Sequence, residues 1–197
     1  MVLSYPEGKY LKSDTHFNEL YPPEMQMLAR RHWTPLHIAE LATTFLASDG
    51  GRILDIGSGV GKYCLAAAYQ APDAHFFGIE QRKYLIGHAL RAQKKLGVRN
   101  VSFINGNFTQ LNLNEFDHFY FFNSFYENID DLDRIDDSIA YSESLYEYYI
   151  LYLYKGLEQM PRGTKIVTYH SLEEEIPPGY RLMDTMSDGD LKFWLKQ

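Results

Sequence analysis

Asp55 precedes three glycines at alternate positions, Gly57, Gly59 and Gly61, with Ser58 and Val60 between them. So little side chain lets a ligand approach the backbone closely, and the amides of a helix starting at Lys62 would face it. Nineteen residues after Gly61 stands Glu80, an acid able to accept both hydroxyls of a ribose. Asn105, Gly106, Asn107 and Phe108 form a third cluster, where an amide and a ring can meet the edge and the face of an adenine. A fourth cluster runs from Asn123 through Ser124 and Phe125 to Tyr126 and Glu127. A dinucleotide fingerprint would need its third glycine where Lys62 stands, and Asp55 would repel a pyrophosphate. The set instead suits a cationic ligand that carries an adenosine.

These residues fall at the ends of periodic elements. The runs at 52–56, 75–80, 101–104, 118–123 and 165–170 predict strands, the last four short and apolar as doubly buried strands should be. Helical spacing predicts helices over 35–47, 62–70, 83–96 and 138–160, and Pro22-Pro23 can open a short helix ahead of them. Thr34 is placed to cap the helix at 35–47, with Pro35 in its first turn. Beyond residue 170 the pattern becomes two extended segments, 180–186 and 191–196, around a turn at Ser187-Asp188-Gly189-Asp190. This alternation predicts an α/β fold: a single doubly wound, mostly parallel seven-stranded sheet with an antiparallel C-terminal hairpin strand. Residues 1–34 read as an N-terminal arm or lid and 35–197 as one ligand-binding domain. In such sheets ligands sit beside the carboxyl ends of the strands, where the four clusters all fall.

A chain of 197 residues, 45% hydrophobic and 23% charged, is most simply one globular domain. Its net charge of −7 argues against broad binding to a nucleic-acid backbone or an anionic membrane, so nucleic acid is disfavoured as a partner. The single cysteine, Cys64, excludes a disulfide framework and any multi-cysteine metal site; no metal is expected. Residues 1–6 lack a signal-peptide core, and the longest apolar run, 148–154, is too short to span a bilayer, so a cytoplasmic protein is the default. Between Glu127 and Glu147 there are eight acids and one base, Arg134, a field that would favour a cationic substrate. The reverse holds from Arg82 to Arg99, with six bases and no acid, which reads as the solvated face of an outer helix. Six tyrosines between 141 and 154 cover more than one face of one helix, so part of the set is core and part is not.

The stretch Asp55-Ile56-Gly57-Ser58-Gly59-Val60-Gly61 resembles motif I of the class I S-adenosylmethionine-dependent methyltransferases. Glu80 matches that family's ribose-binding acid, and the closing hairpin its reversed seventh strand. The resemblance implies S-adenosylmethionine as cofactor, held by Asp55, Gly57, Ser58, Gly59, Gly61, Glu80, Gln81, Asn107, Phe108 and Asn123. Trp33 and Thr34 would lie near its methionine end, in an entry segment that includes His32. Methyl transfer is an in-line displacement whose catalysis is mostly positioning, and Asn123 and Tyr126 are the expected catalytic residues. The carbonyl of Asn123 would orient an acceptor nitrogen, while Trp33, Phe125, Tyr126 and Glu127 would form the acceptor wall. His170, at the end of the fifth strand, lies near the same mouth and carries less weight.

A narrower similarity links Gly78-Ile79-Glu80, Gly106-Asn107-Phe108 and Phe122-Asn123-Ser124-Phe125 to the non-SET histone-lysine methyltransferases. Asn107 stands where that branch has aspartate, and Ser124 where it has a second asparagine, so histone does not carry over as substrate. The expected reaction is methylation of an unidentified acceptor, a nitrogen on a protein lysine or small amine being preferred. The alternative is a non-catalytic module that binds the cofactor or scaffolds a partner.

Overall fold

Strand and helix alternate along the chain because apolar runs of five to seven residues are interrupted by amphipathic stretches closed with glycine or proline. The computed structural model describes residues 8–171 and 173–197. The first seven residues of the expected arm, with the reading of residues 1–6 as leaderless, lie outside the described residues. Three short helices come first: α1 (Asp14–Asn18), α2 (Pro23–Gln26) and α3 (Ala29–His32). They are followed by α4 (Leu36–Leu46), β1 (Gly51–Ile56), α5 (Lys62–Gln70), β2 (Ala74–Glu80), α6 (Lys83–Leu96) and β3 (Val101–Asn105). The second half holds β4 (His118–Phe122), α7 (Glu143–Gln159), β5 (Lys165–Tyr169), β6 (Tyr180–Met186) and β7 (Leu191–Lys196).

The seven strands form one sheet in the order β3-β2-β1-β4-β5-β7-β6. β1 pairs in parallel with β2 and β4, and β4 with β5, whereas β7 runs antiparallel to both β5 and β6. This is the α/β sheet with the antiparallel hairpin strand expected from the sequence. The strand order reverses between β1 and β4, which opens a crevice above their carboxyl ends. Two apolar layers flank the sheet. One gathers α4 and α5 with Phe17, Leu20 and Tyr21 from the N-terminal segment. The other packs Tyr149, Leu153 and Leu157 of α7 against Phe119, Phe121 and Ile166. Full burial of each such side chain contributes roughly 1.5–3 kcal/mol, so the N-terminal segment is anchored by its own core residues. Among the described residues no helix is long and apolar enough to cross a membrane.

Several element ends differ from expectation for identifiable reasons. The long helix begins at Glu143 rather than 138, capped by the Ser142 hydroxyl, which accepts from Leu145 N. Residues 136–138 are instead held by Asp136, whose carboxylate accepts from the Ser138 amide at 2.8 Å and its hydroxyl at 2.6 Å. Such local side-chain bonds compete with helix formation. Thr34 does not cap α4: its hydroxyl shares a 2.9 Å hydrogen bond with Tyr120, and Asp14 accepts from Leu36 N at 3.0 Å instead. β4 ends at Phe122 and β5 at Tyr169, because Asn123 (φ 43°) and His170 (φ 53°) turn into the left-handed region.

Candidate functional site

The turn after β1 is built to bring backbone close to a ligand. Gly57 N and Ser58 N both donate to Ile79 O, and Gly61 N donates to Ser58 O at 2.8 Å. Gly61 sits at φ 79°, and a Cβ there would meet the Phe103 ring at 2.5 Å, so only glycine fits between α5 and β3. Gly59 differs: its φ is 54°, but a Cβ would meet nothing within 4 Å. It faces open space, and its amide donates to Glu80 Oε2 at 3.2 Å.

Asp55 closes β1 and is 4% exposed. Burial pushes its carboxyl up to about 7, against the lowering effect of the Cys64 thiol, whose Sγ lies 3.4 Å from Oδ2, and with a further push from Glu80. Asp55 lines a cleft with Trp33, Thr34, Ser58, Lys62 and Tyr120. In that cleft the Ser58 hydroxyl is buried with no hydrogen-bond partner among the described residues. A buried acid and an orphaned hydroxyl beside a helix N-terminus fit the cationic and polar end of an amino-acid-bearing ligand. The cleft's residues therefore fit S-adenosylmethionine.

Glu80 closes β2 and is equally committed. Its Oε1 accepts from Arg82 N at 2.8 Å, and the Arg82 guanidinium lies 3.6 Å away. Burial raises the Glu80 carboxyl, and Arg82 opposes that shift. Arg82, 4% exposed, also reaches Glu127 at 2.5 Å, Asp136 at 3.2 Å and the Tyr141 hydroxyl at 2.5 Å. Three carboxylates thus converge on one guanidinium, tying the turn after β2 to the loop of residues 126–141. Two of the eight acids in the acidic segment, Glu127 and Asp136, are consumed here.

A first cavity lies between these turns. It is bordered by Gly57, Gly59, Glu80, Arg82, Asn123 and Glu127, and roofed by Leu28, Arg31 and Trp33 of the N-terminal segment. Arg31 Nη1 donates to Leu132 O across the roof. A second groove shares Arg31, Trp33, Phe122, Asn123 and Tyr126 with it and extends to Arg30, Pro35, Tyr169 and His170. Asn123 stands on the border between the two. His170 Nδ1 lies 3.3 Å from Asp190, on the turn before β7.

Of the residues singled out in the sequence, Trp33, Thr34, Asp55, Gly57, Ser58, Gly59, Glu80, Asn123, Tyr126 and Glu127 border these cavities. Gly61, Gln81, Asn107, Phe108 and Phe125 border none of them; Gly61 is packed against Phe103 instead. Phe108 and Phe125 stack at 4.9 Å beneath α7. Asn107 caps the short 3-10 turn that follows β3, and its amide donates to Tyr149 at 2.7 Å and Gln81 at 3.2 Å. Arg82, Tyr141, Arg30, Arg31 and Tyr169 belong to the site and were not singled out. The acidic run opposite the basic run was the signal for the first two.

Comparison with known proteins agrees with this geometry. A family model described as a methyltransferase domain matches residues 47–187. A tRNA (guanine-N(7)-)-methyltransferase of Synechococcus sp. (strain JA-3-3Ab) is 35% identical over 86 residues, covering 44% of this chain and 30% of its own length. The corresponding protein of Synechocystis sp. (strain ATCC 27184 / PCC 6803 / Kazusa) is 33% identical over 92 residues, 47% of this chain and 40% of its own length. The chain thus spans less than half the length of these curated relatives. Among solved structures, TrmN from Thermus thermophilus superposes with a TM-score of 0.64 at 20% identity, over 92% of this chain and 53% of that one. An RNA methyltransferase from Salinibacter ruber, in complex with S-adenosyl-L-homocysteine, superposes with a TM-score of 0.56 at 21% identity, over 83% and 92% of the two chains. At these identities the two structures speak for the fold.

One expectation is overturned. Net charge disfavoured nucleic acid as a partner, yet the relatives' names specify tRNA. An average charge of −7 says nothing about where the cations are placed. The family model covers the glycine turn, Glu80 and the strand ends that border the first cavity, and the chain belongs to that methyltransferase-domain family as a class I S-adenosylmethionine-dependent methyltransferase.

Proposed function

We propose that this chain transfers a methyl group from S-adenosylmethionine to a nitrogen of an RNA nucleobase. The observation that carries the acceptor is the groove beyond Asn123. It offers the half-buried rings of Tyr126 and Tyr169 and the exposed ring of His170 for stacking, with Arg30 and Arg31 at its edge. Aromatic faces beside guanidinium groups suit an unstacked base with its phosphate. The same groove is poor for a lysine or small amine. Its edge is cationic, and Glu127, the carboxylate a cation would need, is held by Arg82. The curated relatives' tRNA acceptor points the same way.

In this reading S-adenosylmethionine supplies an electrophilic methyl carbon when bound. Asp55 pairs with its ammonium, Glu80 accepts from the ribose hydroxyls, and Gly59 leaves room beside the backbone. Asn123, on the border of the two cavities, orients the acceptor nitrogen through its side-chain carbonyl, and Tyr126 walls it. Helices α1 to α3 act as a lid that excludes water, with residues 35–197 forming the catalytic domain.

The test is transfer of radiolabelled methyl from S-adenosylmethionine into unfractionated tRNA, followed by digestion to nucleosides. Label in one methylated nucleoside is expected. Label in protein or in small amines, with none in RNA, would overturn the reading.

A further inference from the structure

We infer that the outer face of α6 is a track for an RNA backbone leading into the groove, a surface that rests on the RNA reading above. Lys83, Gly87, Arg91 and Lys94 follow one another at intervals of four, four and three residues, which places them on one face over about 17 Å of helix. Lys83, Arg91 and Lys94 are exposed, as is Arg99 just beyond the helix, and no ion pair to any of the four occurs among the described residues. Several other cations are spoken for: Lys62 by Asp14, Arg134 by Asp131, Lys165 by Asp49 and Lys192 by Glu173. A chain of net charge −7 therefore keeps on α6 a row of exposed cations with no ion pair among the described residues.

Gly87 is the second observation. Mid-helix glycine costs stability relative to alanine, and here no packing requires it. The nearest atom to an added Cβ is Arg91 Nη1 at 3.4 Å, a flexible side-chain end. A glycine between Lys83 and Arg91 lets a phosphate approach the helix closely.

The stripe starts beside the site: Lys83, the first residue of α6, is three residues from Glu80, which borders the first cavity. Lys95 donates to Leu20 O at 2.7 Å, fixing α6 beside the N-terminal helices that carry Arg30 and Arg31. Phosphates on α6 and a base in the groove can belong to one strand. Phosphate neutralisation by Lys and Arg is sequence-independent and salt-dependent.

The experiment measures binding of unfractionated tRNA to the full chain by fluorescence anisotropy across a salt series. Replacing Lys83, Arg91 and Lys94 together by alanine should lower the slope of log affinity against log salt by about 2 to 3. Affinity should fall alike for unrelated tRNAs, with S-adenosylhomocysteine binding and melting temperature unchanged. Gly87→Glu should weaken RNA binding at least tenfold. Arg162→Ala, on the turn before β5, serves as the control and should leave the slope as it is. If the triple variant keeps the native slope, the track is wrong while the RNA reading stands. If the native chain binds no RNA at any salt, both fail.

Discussion

Glu80 and Arg82 are bound to each other twice, through the Arg82 amide at 2.8 Å and the guanidinium at 3.6 Å, two residues apart at the rim of the cavity. The guanidinium is buried and also faces Glu127 and Asp136. Removing it leaves carboxylates stranded without their counter-ion. Arg82→Ala should destabilise the fold by about 3–5 kcal/mol, and Arg82→Lys should recover only part, because an ammonium cannot serve three acids and Tyr141 at once. Urea unfolding would check this. The loss should change little with salt, since a buried network is poorly screened.

Asp55 gives a pH dependence of definite sign. Its folded carboxyl titrates near 7, well above its unfolded value of 3.8, so the native protein retains a proton that the unfolded chain releases. Its contribution to stability is therefore complete below about 4, declines as pH rises to about 7, and is level above that. A ligand ammonium needs the ionised form. Affinity for S-adenosylhomocysteine should rise by up to tenfold per pH unit towards 7 and then plateau. Asp55→Asn should abolish that slope and weaken binding, while raising the stability of the free protein at pH 8 by about 1 kcal/mol or more, since the desolvated charge is gone. Calorimetry between pH 5.5 and 8.5 and parallel melts read both effects. A pH-independent affinity would remove Asp55 from the ammonium site.

What the sequence made legible was local. The glycine turn, Glu80 and the reversing hairpin are each written within about twenty residues, so period and spacing suffice to find them. Arg82 was counted within a basic run on a helix face. Its partner Glu127 is 45 residues away, and no periodicity connects them. Thr34 has the composition of a helix cap, but Tyr120, 86 positions on, takes its hydroxyl, and Asp14 does the capping from 22 positions before Leu36. Asn107 and Phe108 were read by analogy with an adenine site, whereas the tyrosine-rich α7 recruits both into packing. In each case a long-range partner outcompeted a sound short-range role.

Asn123 separates strain from chemistry. At φ 43° an asparagine is tolerated better than most residues and glycine better still. Asn123→Gly should keep stability within about 1 kcal/mol of native, or raise it. If its side chain orients the acceptor, kcat should fall at least tenfold with S-adenosylhomocysteine affinity unchanged. Asn123→Ala should lose both activity and about 1 kcal/mol of stability. Native kcat in the glycine variant would reduce Asn123 to a turn residue.

Asp14 and Lys62 fix the N-terminal segment to the glycine turn. Lys62 is 4% exposed at the first position of α5, where the helix dipole already disfavours a cation, and its ammonium meets Asp14 at 2.5 Å. Burial lowers the Lys62 pKa, and Asp14 acts against that shift. The same carboxylate holds Leu36 N, so one side chain joins α1, α4 and α5. Asp14→Ala should therefore cost more than a surface pair but less than a fully buried one, about 1–3 kcal/mol, since Asp14 is 46% exposed while Lys62 is buried. Lys62→Met in the same chain should return part of that loss, because the stranded charge goes with it and the methionine can lie against Phe17 and Trp33, whose rings lie within 6 Å of the ammonium. A double-mutant cycle by urea unfolding gives the coupling. Limited proteolysis adds the location: Asp14→Ala should expose residues 8–34 to cleavage before the rest of the chain, and equal sensitivity throughout would mean that the segment is held by its apolar residues alone.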